Sequence, residues 1–261
     1  MNISLEGKIA LVCGSTQGIG LATAKELATN GATCILLARN EAMLKEVVAD
    51  LPTPLQQKHL YAVADFTDIV VLRSVISNLV KSHTIHILVN NTGGPKSGPI
   101  TEAVEEDFEK AFQQHVVGNQ VLTKAVIPGM KAAGYGRIIN IVSTSVRIPI
   151  ANLGVSNTIR AAVAGWAKTM ANELGQFSIT VNNILPGFID TARLKSLIAA
   201  NADRRQVSQE AITKGMIAEI PAGRFGLASE IAAAAAFLAS PAASYINGVN
   251  LPVDGGKTGS F

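Results

Sequence analysis

Seven short apolar runs rich in β-branched residues recur along this 261-residue chain, with longer stretches of helical periodicity between most of them. The runs are Ile9–Cys13, Thr33–Leu37, Leu60–Val63, Ile85–Asn90, Arg137–Val142, Thr180–Leu185 and Val249–Val253. The helical stretches are Ile19–Ala28, Glu41–Leu51, Asp68–Ser82, Glu105–Lys131, Asn157–Leu174 and Glu230–Leu238. Neighbouring parallel strands cannot be joined by a tight hairpin; the chain must travel back along the sheet, and a helix is its usual route. Alternation of this kind therefore predicts an α/β fold, a parallel sheet with helices on both faces. The near-continuous apolarity of the strands agrees, because a strand covered on both faces buries both of its sides. No linker, repeat or low-complexity tract interrupts the pattern, so a single doubly wound domain with a seven-stranded parallel sheet is expected over residues 1–261.

Composition excludes several classes of function. Twenty-two basic and 19 acidic residues leave a formal charge of only +3. The cations are scattered rather than gathered into a stripe, so no nucleic-acid partner is expected. Met1–Lys8 lacks an apolar signal core, and the longest apolar run, Ile231–Ala239, is far shorter than the roughly 20 residues of a membrane span. No membrane partner is expected, and the protein is expected to be soluble and cytoplasmic. Both cysteines, Cys13 and Cys34, fall inside strand runs, where buried free thiols are usual in a reducing compartment. His83 and His86 flank a strand start without companions suited to hold a metal, so they read as surface residues and no metal site is expected.

One segment breaks the alternation. Residues Ile189–Pro221 are polar and follow a strand end, on the side where open α/β sheets take up ligands. They read as a lid over a substrate cleft, with a pair of surface helices lacking any gating role as the alternative.

The first strand run leads directly into Gly14-Ser15-Thr16-Gln17-Gly18-Ile19-Gly20 and then a helix. Such a turn needs unusual backbone angles, a close approach of main chain to a pyrophosphate, and strand-to-helix packing without an intervening side chain. The helix that follows opens with N–H groups lacking intrahelical acceptors, which favour phosphate. Between a first strand and a first helix, the pattern predicts a dinucleotide site built from Gly14, Ser15, Gln17, Gly18, Ile19 and Gly20. After the second strand stands Ala38-Arg39-Asn40, where NAD-binding chains set an acid against the adenosine ribose. An acid would repel a 2′-phosphate, whereas the forked guanidinium of Arg39 can pair with it. NADP(H) is therefore favoured over NAD(H), with a solvated loop cation as the alternative role for Arg39.

Further motifs accompany that turn: Asp65 after the third strand, Asn90-Asn91-Thr92-Gly93 after the fourth, Gly136–Ser143 at the fifth, Pro186-Gly187-Phe188-Ile189-Asp190-Thr191, and Val253-Asp254-Gly255-Gly256. On these motifs, across almost its whole length, the chain resembles the short-chain dehydrogenases/reductases, in particular their 3-oxoacyl-acyl-carrier-protein reductase-like branch. The resemblance implies a Rossmann-type fold, a nicotinamide cofactor across the strand ends, a carbonyl or alcohol substrate, and a homo-oligomer, commonly a tetramer. In its terms Asp65, with Phe66 beside it, holds the adenine, and Asn91 and Gly93 line the adenosine side. Pro186 and Gly187 lead to Ile189 and Thr191, which contact the carboxamide of the nicotinamide. Asp65 could instead be a turn residue and Thr191 a helix cap.

The family's chemistry uses a serine that orients the carbonyl and a tyrosine that exchanges the proton. Four residues later on the same helix face, a lysine lowers the phenol's pKa and grips the ribose. Ser143 matches the serine. In the same register the tyrosine position is Ser156, the lysine position is Arg160, and the asparagine that supports a proton relay is His115. None of Tyr61, Tyr135 and Tyr245 is followed four residues later by lysine. Arginine can still hold ribose hydroxyls, yet its proton is fixed at neutral pH. Serine is the harder change, because an aliphatic hydroxyl is a far weaker acid than a phenol with a pKa of about 10.

Two functions therefore stand side by side. As an oxidoreductase the chain needs another proton source, first a water or ribose hydroxyl linked to His115, whose imidazole is expected to titrate near neutrality unless it is merely packed. Otherwise the chain binds NADP(H) without turnover, as a sensor or scaffold. Ser156 with Arg160 could place a substrate anion or oxyanion. Arg147, Arg160 and Arg193 could bias the cleft toward an acidic or phosphorylated molecule, unless each is solvated or paired. Trp166 and Phe177 read as interface or core residues. A face of Ala161, Ala162, Ala164 and Ala167 would let helices approach closely on self-association.

Overall fold

Among residues 1–259, which a computed structural model describes, seven strands pair as one parallel sheet. They are β1 Ile9–Cys13, β2 Thr33–Ala38, β3 Leu60–Val63, β4 Ile87–Asn90, β5 Gly136–Ile141, β6 Ile179–Pro186 and β7 Asn250–Val253. Their order is β3-β2-β1-β4-β5-β6-β7, each pair parallel. The chain starts at the middle, steps outward to β3, then crosses back to lay β4 against the other side of β1. At that reversal the connections leave in opposite directions and open a crevice beyond the strand carboxyl ends.

The two-residue period of a strand divides the core between the two faces. In β1, Ala10 and Val12 face one layer while Leu11 and Cys13 face the other. The first layer holds α1 Gly18–Thr29, α2 Glu41–Ala49 and α9 Ala228–Ala239; the second holds α3 Ile69–Ser82, α5 Gly118–Ala132 and α6 Gly154–Leu174. Helix α9 packs on α1 through small side chains, Ala235 and Ala239 sharing a core with Ala24 and Ala28. Asn40 caps α2 by accepting from the Met43 N–H (3.1 Å), and Asp68 caps α3 by accepting from the Val71 N–H (2.9 Å).

The structure alters several sequence expectations. The predicted helix Glu105–Lys131 is α4 Glu105–Phe112, a π-helical turn Gln113–Val117, and then α5. β4 begins at Ile87 rather than Ile85, and His86 is no free surface residue. Its Nδ1 accepts from the Ile9 N–H (3.1 Å), and its ring meets that of Tyr135 edge-on. The alanine face of α6 is split: Ala164 and Ala167 are buried, Ala167 in the core of the second layer, and Ala161 is exposed. Trp166 spans to the helix before, donating from Nε1 to Gln120 (2.8 Å). Both thiols are buried, which pushes the Cys34 thiol up to about 12 and that of Cys13 higher still, so neither is a nucleophile at neutral pH. Among the described residues no helix is long and apolar enough to cross a membrane.

The segment after β6 forms α7 Ala192–Arg205 and α8 Gln209–Ala218, which pack on each other through Leu194, Ile198 and Ile212, apart from the two main layers.

Candidate active site

A cleft of about 760 Å³ lies at the carboxyl ends of the strands. Its first wall is the turn between β1 and α1. Gly14 is left-handed (φ +57°), and a Cβ there would stand 2.6 Å from the Asn91 carbonyl oxygen and 2.8 Å from the amide nitrogen of that side chain. A Cβ on Gly20 would lie 2.1 Å from the Gly14 carbonyl oxygen. The strand can enter the helix this closely only because both positions lack side chains. Asn91 closes the floor by donating from Nδ2 to the carbonyls of Cys13 and Gly14, 3.2 Å each. Gln17, the N-cap of α1, makes no side-chain cap, so among the described residues the first amides of this twelve-residue helix have no partner. Narrow floor and uncapped amides fit a diphosphate.

Arg39, Asn40, Asp65 and Phe66 line the same end of the cleft. Arg39 is exposed and reaches Asp65 at 3.7 Å. Burial acts to raise the Asp65 carboxyl, but hydrogen bonds from Thr67 and the charge of Arg39 outweigh it and hold the group below the usual carboxylate range. Asp65 lines the cleft and at the same time braces a turn by accepting from the Thr67 N–H (2.9 Å). Asn40 lines the cleft while its side chain caps α2.

Past Asn91 and Gly93, the cleft runs on to Ser143, Ser156 and Arg160. Ser143 stands two residues beyond β5, lines the cleft, and accepts from the Ser145 N–H through Oγ (3.1 Å). Ser156 and Arg160 lie one turn apart on α6, both nearly buried. The Arg160 guanidinium donates to the carbonyls of Ile141 (2.9 Å) and Thr92 (3.5 Å). Burial, and then the charge of Arg193, lower it to about 10, so it stays cationic at neutral pH. Across the opening stand Pro186, Gly187, Ile189 and Thr191. Thr191 occupies the N-cap position of α7, yet its hydroxyl donates to the Ile189 carbonyl (3.2 Å) rather than capping the helix. Its Cγ2 comes 3.5 Å from where a Gly18 Cβ would be, so α7 starts directly over the start of α1.

Three expected site residues are placed otherwise. Ser15 is fully buried beneath the turn and does not line the cleft; Thr16 takes that position. Gly20 shapes the turn by packing and is not exposed to the cleft. His115 lies inside the π-helical turn, 1% exposed and not in the cleft lining, with Nδ1 on the hydroxyl of the lining residue Thr92 and, among the described residues, no partner for its buried Nε2. Burial, and then the Arg160 charge, push its imidazole down to about 2, so it is neutral throughout the physiological range and does not titrate near neutrality. Arg147 also leaves the cleft, donating to the Asn250 carbonyl (3.2 Å).

The sequence reading missed Thr16, Thr92 and Gln114. Thr92 was legible as a neighbour of Asn91 and Gly93, but Gln114 reaches the cleft only because the π-helical turn shifts the helix face there, which spacing at 3.6 residues does not foretell. Among the described residues no group of three His, Cys, Asp or Glu side chains could hold a metal.

Known proteins share this arrangement. A family described as enoyl-(acyl carrier protein) reductase matches residues 14–258. The 3-oxoacyl-[acyl-carrier-protein] reductase of Vibrio cholerae is 36% identical over 256 residues, 97% of this chain and 98% of that protein. Its counterpart in Escherichia coli is 35% identical over 257 residues, again 97% and 98% of the two chains. The crystal structure of L-sorbose reductase from Gluconobacter frateurii, complexed with NADPH and L-sorbose, superposes with a TM-score of 0.93 at 30% identity over 100% of both chains. With the glycine turn, the parallel sheet and the cleft at its switch point all in place, the chain belongs to the short-chain dehydrogenase/reductase family.

Proposed function

We propose that the protein is an NADP(H)-dependent oxidoreductase that interconverts a carbonyl and an alcohol. The observation that carries this is the continuity of the cleft, which leads without a break from the glycine turn and Arg39 to Ser143. In the proposed site the uncapped amides of Gly18 and Ile19 hold the diphosphate, Arg39 meets the 2′-phosphate, and Asp65 and Asn91 hold the adenosine half. Ile189 and Thr191 hold the carboxamide, and Arg160 faces the adjoining ribose. Bound NADPH supplies the reducing equivalent. Ser143 donates a hydrogen bond to the substrate carbonyl and so polarises it. Ser156 and Ser143 together hold a water that delivers the proton, since His115 is neutral and does not line the cleft, and Arg160 keeps its charge. Helices α7 and α8 act as the lid: Leu194 and Leu197 line the cleft and also join Ile198 and Ile212 in a small core apart from the two main layers, which lets the pair move as a unit.

Calorimetry with NADPH and NADH, followed by oxidation assays on ketones, aldehydes and oxoacyl thioesters, tests this directly. Tight NADPH binding with oxidation of at least one substrate is expected. Arg39→Ala should weaken NADPH binding by about tenfold or more and leave NADH nearly unchanged, because only the former carries the phosphate that the guanidinium meets. Equal losses for both cofactors would remove Arg39 from cofactor choice.

A second reading, a cofactor-binding sensor or scaffold without turnover, is favoured by Ser156, which puts no phenol where the family's proton donor stands. The double variant Ser156→Tyr with Arg160→Lys separates the two. Activity gained only in that variant supports the sensor; loss of an activity present in the wild type supports a repurposed catalytic site. In either case self-association into a homo-oligomer is proposed, through α5, α6 and β7.

A further inference from the structure

Two guanidinium groups face the substrate end of the cleft, and among the described residues no carboxylate pairs with either. Arg160 rises from α6, and Arg193 descends from the first turn of α7. Both rest on the loop that follows β4: Arg160 donates to the Thr92 carbonyl (3.5 Å), and Arg193 donates from Nη2 to the Pro95 carbonyl (2.6 Å). The Arg193 Nη2 also lies 3.3 Å from where a Gly94 Cβ would be, so a side chain there would crowd it. Among the described residues no ion pair involves Arg160 or Arg193. The acids that line the cleft stand elsewhere, Asp65 engaged with Arg39 at the far end and Asp190 exposed at the rim.

A buried cation held only by backbone carbonyls is costly, and a second cation nearby adds to the cost. The charge of Arg193 acts after burial to lower the pKa of Arg160, which remains cationic. Ser156 widens the cleft next to them, since it stands one turn before Arg160 on the same helix face and is far smaller than a phenol. A bound dinucleotide does not supply the missing counter-charge, for its phosphates belong with the glycine turn and Arg39 at the opposite end.

We propose that the substrate accepted beside Ser143 carries an anionic group, a carboxylate or a phosphate, that is received between Arg160 and Arg193 with the Ser156 hydroxyl as a further donor. This rests on the oxidoreductase reading of the cleft and narrows its substrate class. The forked donors of a guanidinium match the oxygens of either anion, and the two arginines reach the pocket from opposite walls, one on the domain and one on the lid. The anion therefore draws the lid helix toward α6 as it binds. A neutral carbonyl compound would leave two cations uncompensated at the moment of closure.

The test uses the protein loaded with NADPH, so that the phosphate-binding end is already filled. Malonate and methyl phosphate are titrated calorimetrically as carboxylate and phosphate probes, and oxo acids are assayed beside their methyl esters and beside oxo phosphates. At least one probe is expected to bind, and its acid substrates to exceed their neutral counterparts about a hundredfold in kcat/KM. The better of the two arms names the anion. Arg193→Gln, at an exposed position that should not disturb folding, is expected to weaken the probe about tenfold with NADPH affinity unchanged, and Arg193→Lys to restore part of the loss. If NADPH binds and neither probe does, or if esters equal acids, the anion proposal falls while the oxidoreductase reading stands. If NADPH itself does not bind, both fall together. Probe binding indifferent to Arg193→Gln would overturn the two-arginine site.

Discussion

His115 shows how far burial can move a side chain from its usual chemistry. As a sequence position it suggests a proton relay, but the π-helical turn sets the imidazole inside, bonded to Thr92, with the Arg160 charge nearby. Its pKa of about 2 in the folded chain, against an ordinary value of 6.5, has a consequence for stability. Below pH 6.5 the unfolded chain takes up a proton that the folded chain refuses, so stability is full above that pH and falls as pH drops toward 2. The slope contributed by this residue is about 1.4 kcal/mol per pH unit. His115→Asn should therefore flatten the loss of stability between pH 7 and 5, measured as urea midpoints at each pH; parallel profiles for wild type and variant would count against it. Ser143 carries the complementary prediction, on activity rather than stability. Ser143→Ala should lower kcat by about two orders of magnitude with NADPH affinity retained, read by steady-state kinetics on whichever substrate is turned over.

At the scale of elements, the sheet is tied by a row of asparagines that no motif announced. Asn90 on β4 donates to Asn140 on β5 (2.8 Å), Asn140 to Asn183 on β6 (2.8 Å), and Asn183 to Asn250 on β7 (2.7 Å). All four are register partners on adjacent strands and lie on the face covered by α5 and α6. In parallel strands equivalent side chains stand side by side, so amides can chain donor to acceptor across the sheet. Asn140 has neighbours on both sides, and Asn140→Ala leaves a buried donor and a buried acceptor unmatched. A loss of about 3 kcal/mol is expected in equilibrium unfolding, and a loss below about 1 kcal/mol would show that the row contributes little. The strands and most helices were legible one at a time, because each carries its own period and caps. This row was not, because it depends on which strand lies beside which and in what register. The π-helical turn was likewise hidden, since Gln113–Val117 continues the helical pattern without interruption.

For the molecule as a whole, the switch between β1 and β4 decides where the cleft lies, and the lid decides what it holds. The outward face of α6 carries small residues such as Ala161 and Gly165, and Phe112 on the neighbouring α4 is exposed. Close helix contact with another copy would cover them. Light scattering is expected to give a mass several times the 27.2 kDa of one chain. A single-chain mass would remove the proposed self-association and leave the site as described, since every residue assigned to it comes from one chain.

The sequence alone determined the parallel α/β architecture, the turn at Gly14–Gly20, the arginine after β2, and the substitution of Ser156 and Arg160 at positions where the family has other residues. These are local matters: a period, a steric need for glycine, a charge at a known offset. Only the tertiary structure decided that Ser15 points inward, that His115 is buried and uncharged, and that Arg160 and Arg193, distant in the chain, face one pocket with no counter-ion among the described residues. Burial, protonation and charge pairing depend on what else is brought near a side chain, and the folded packing supplies those neighbours.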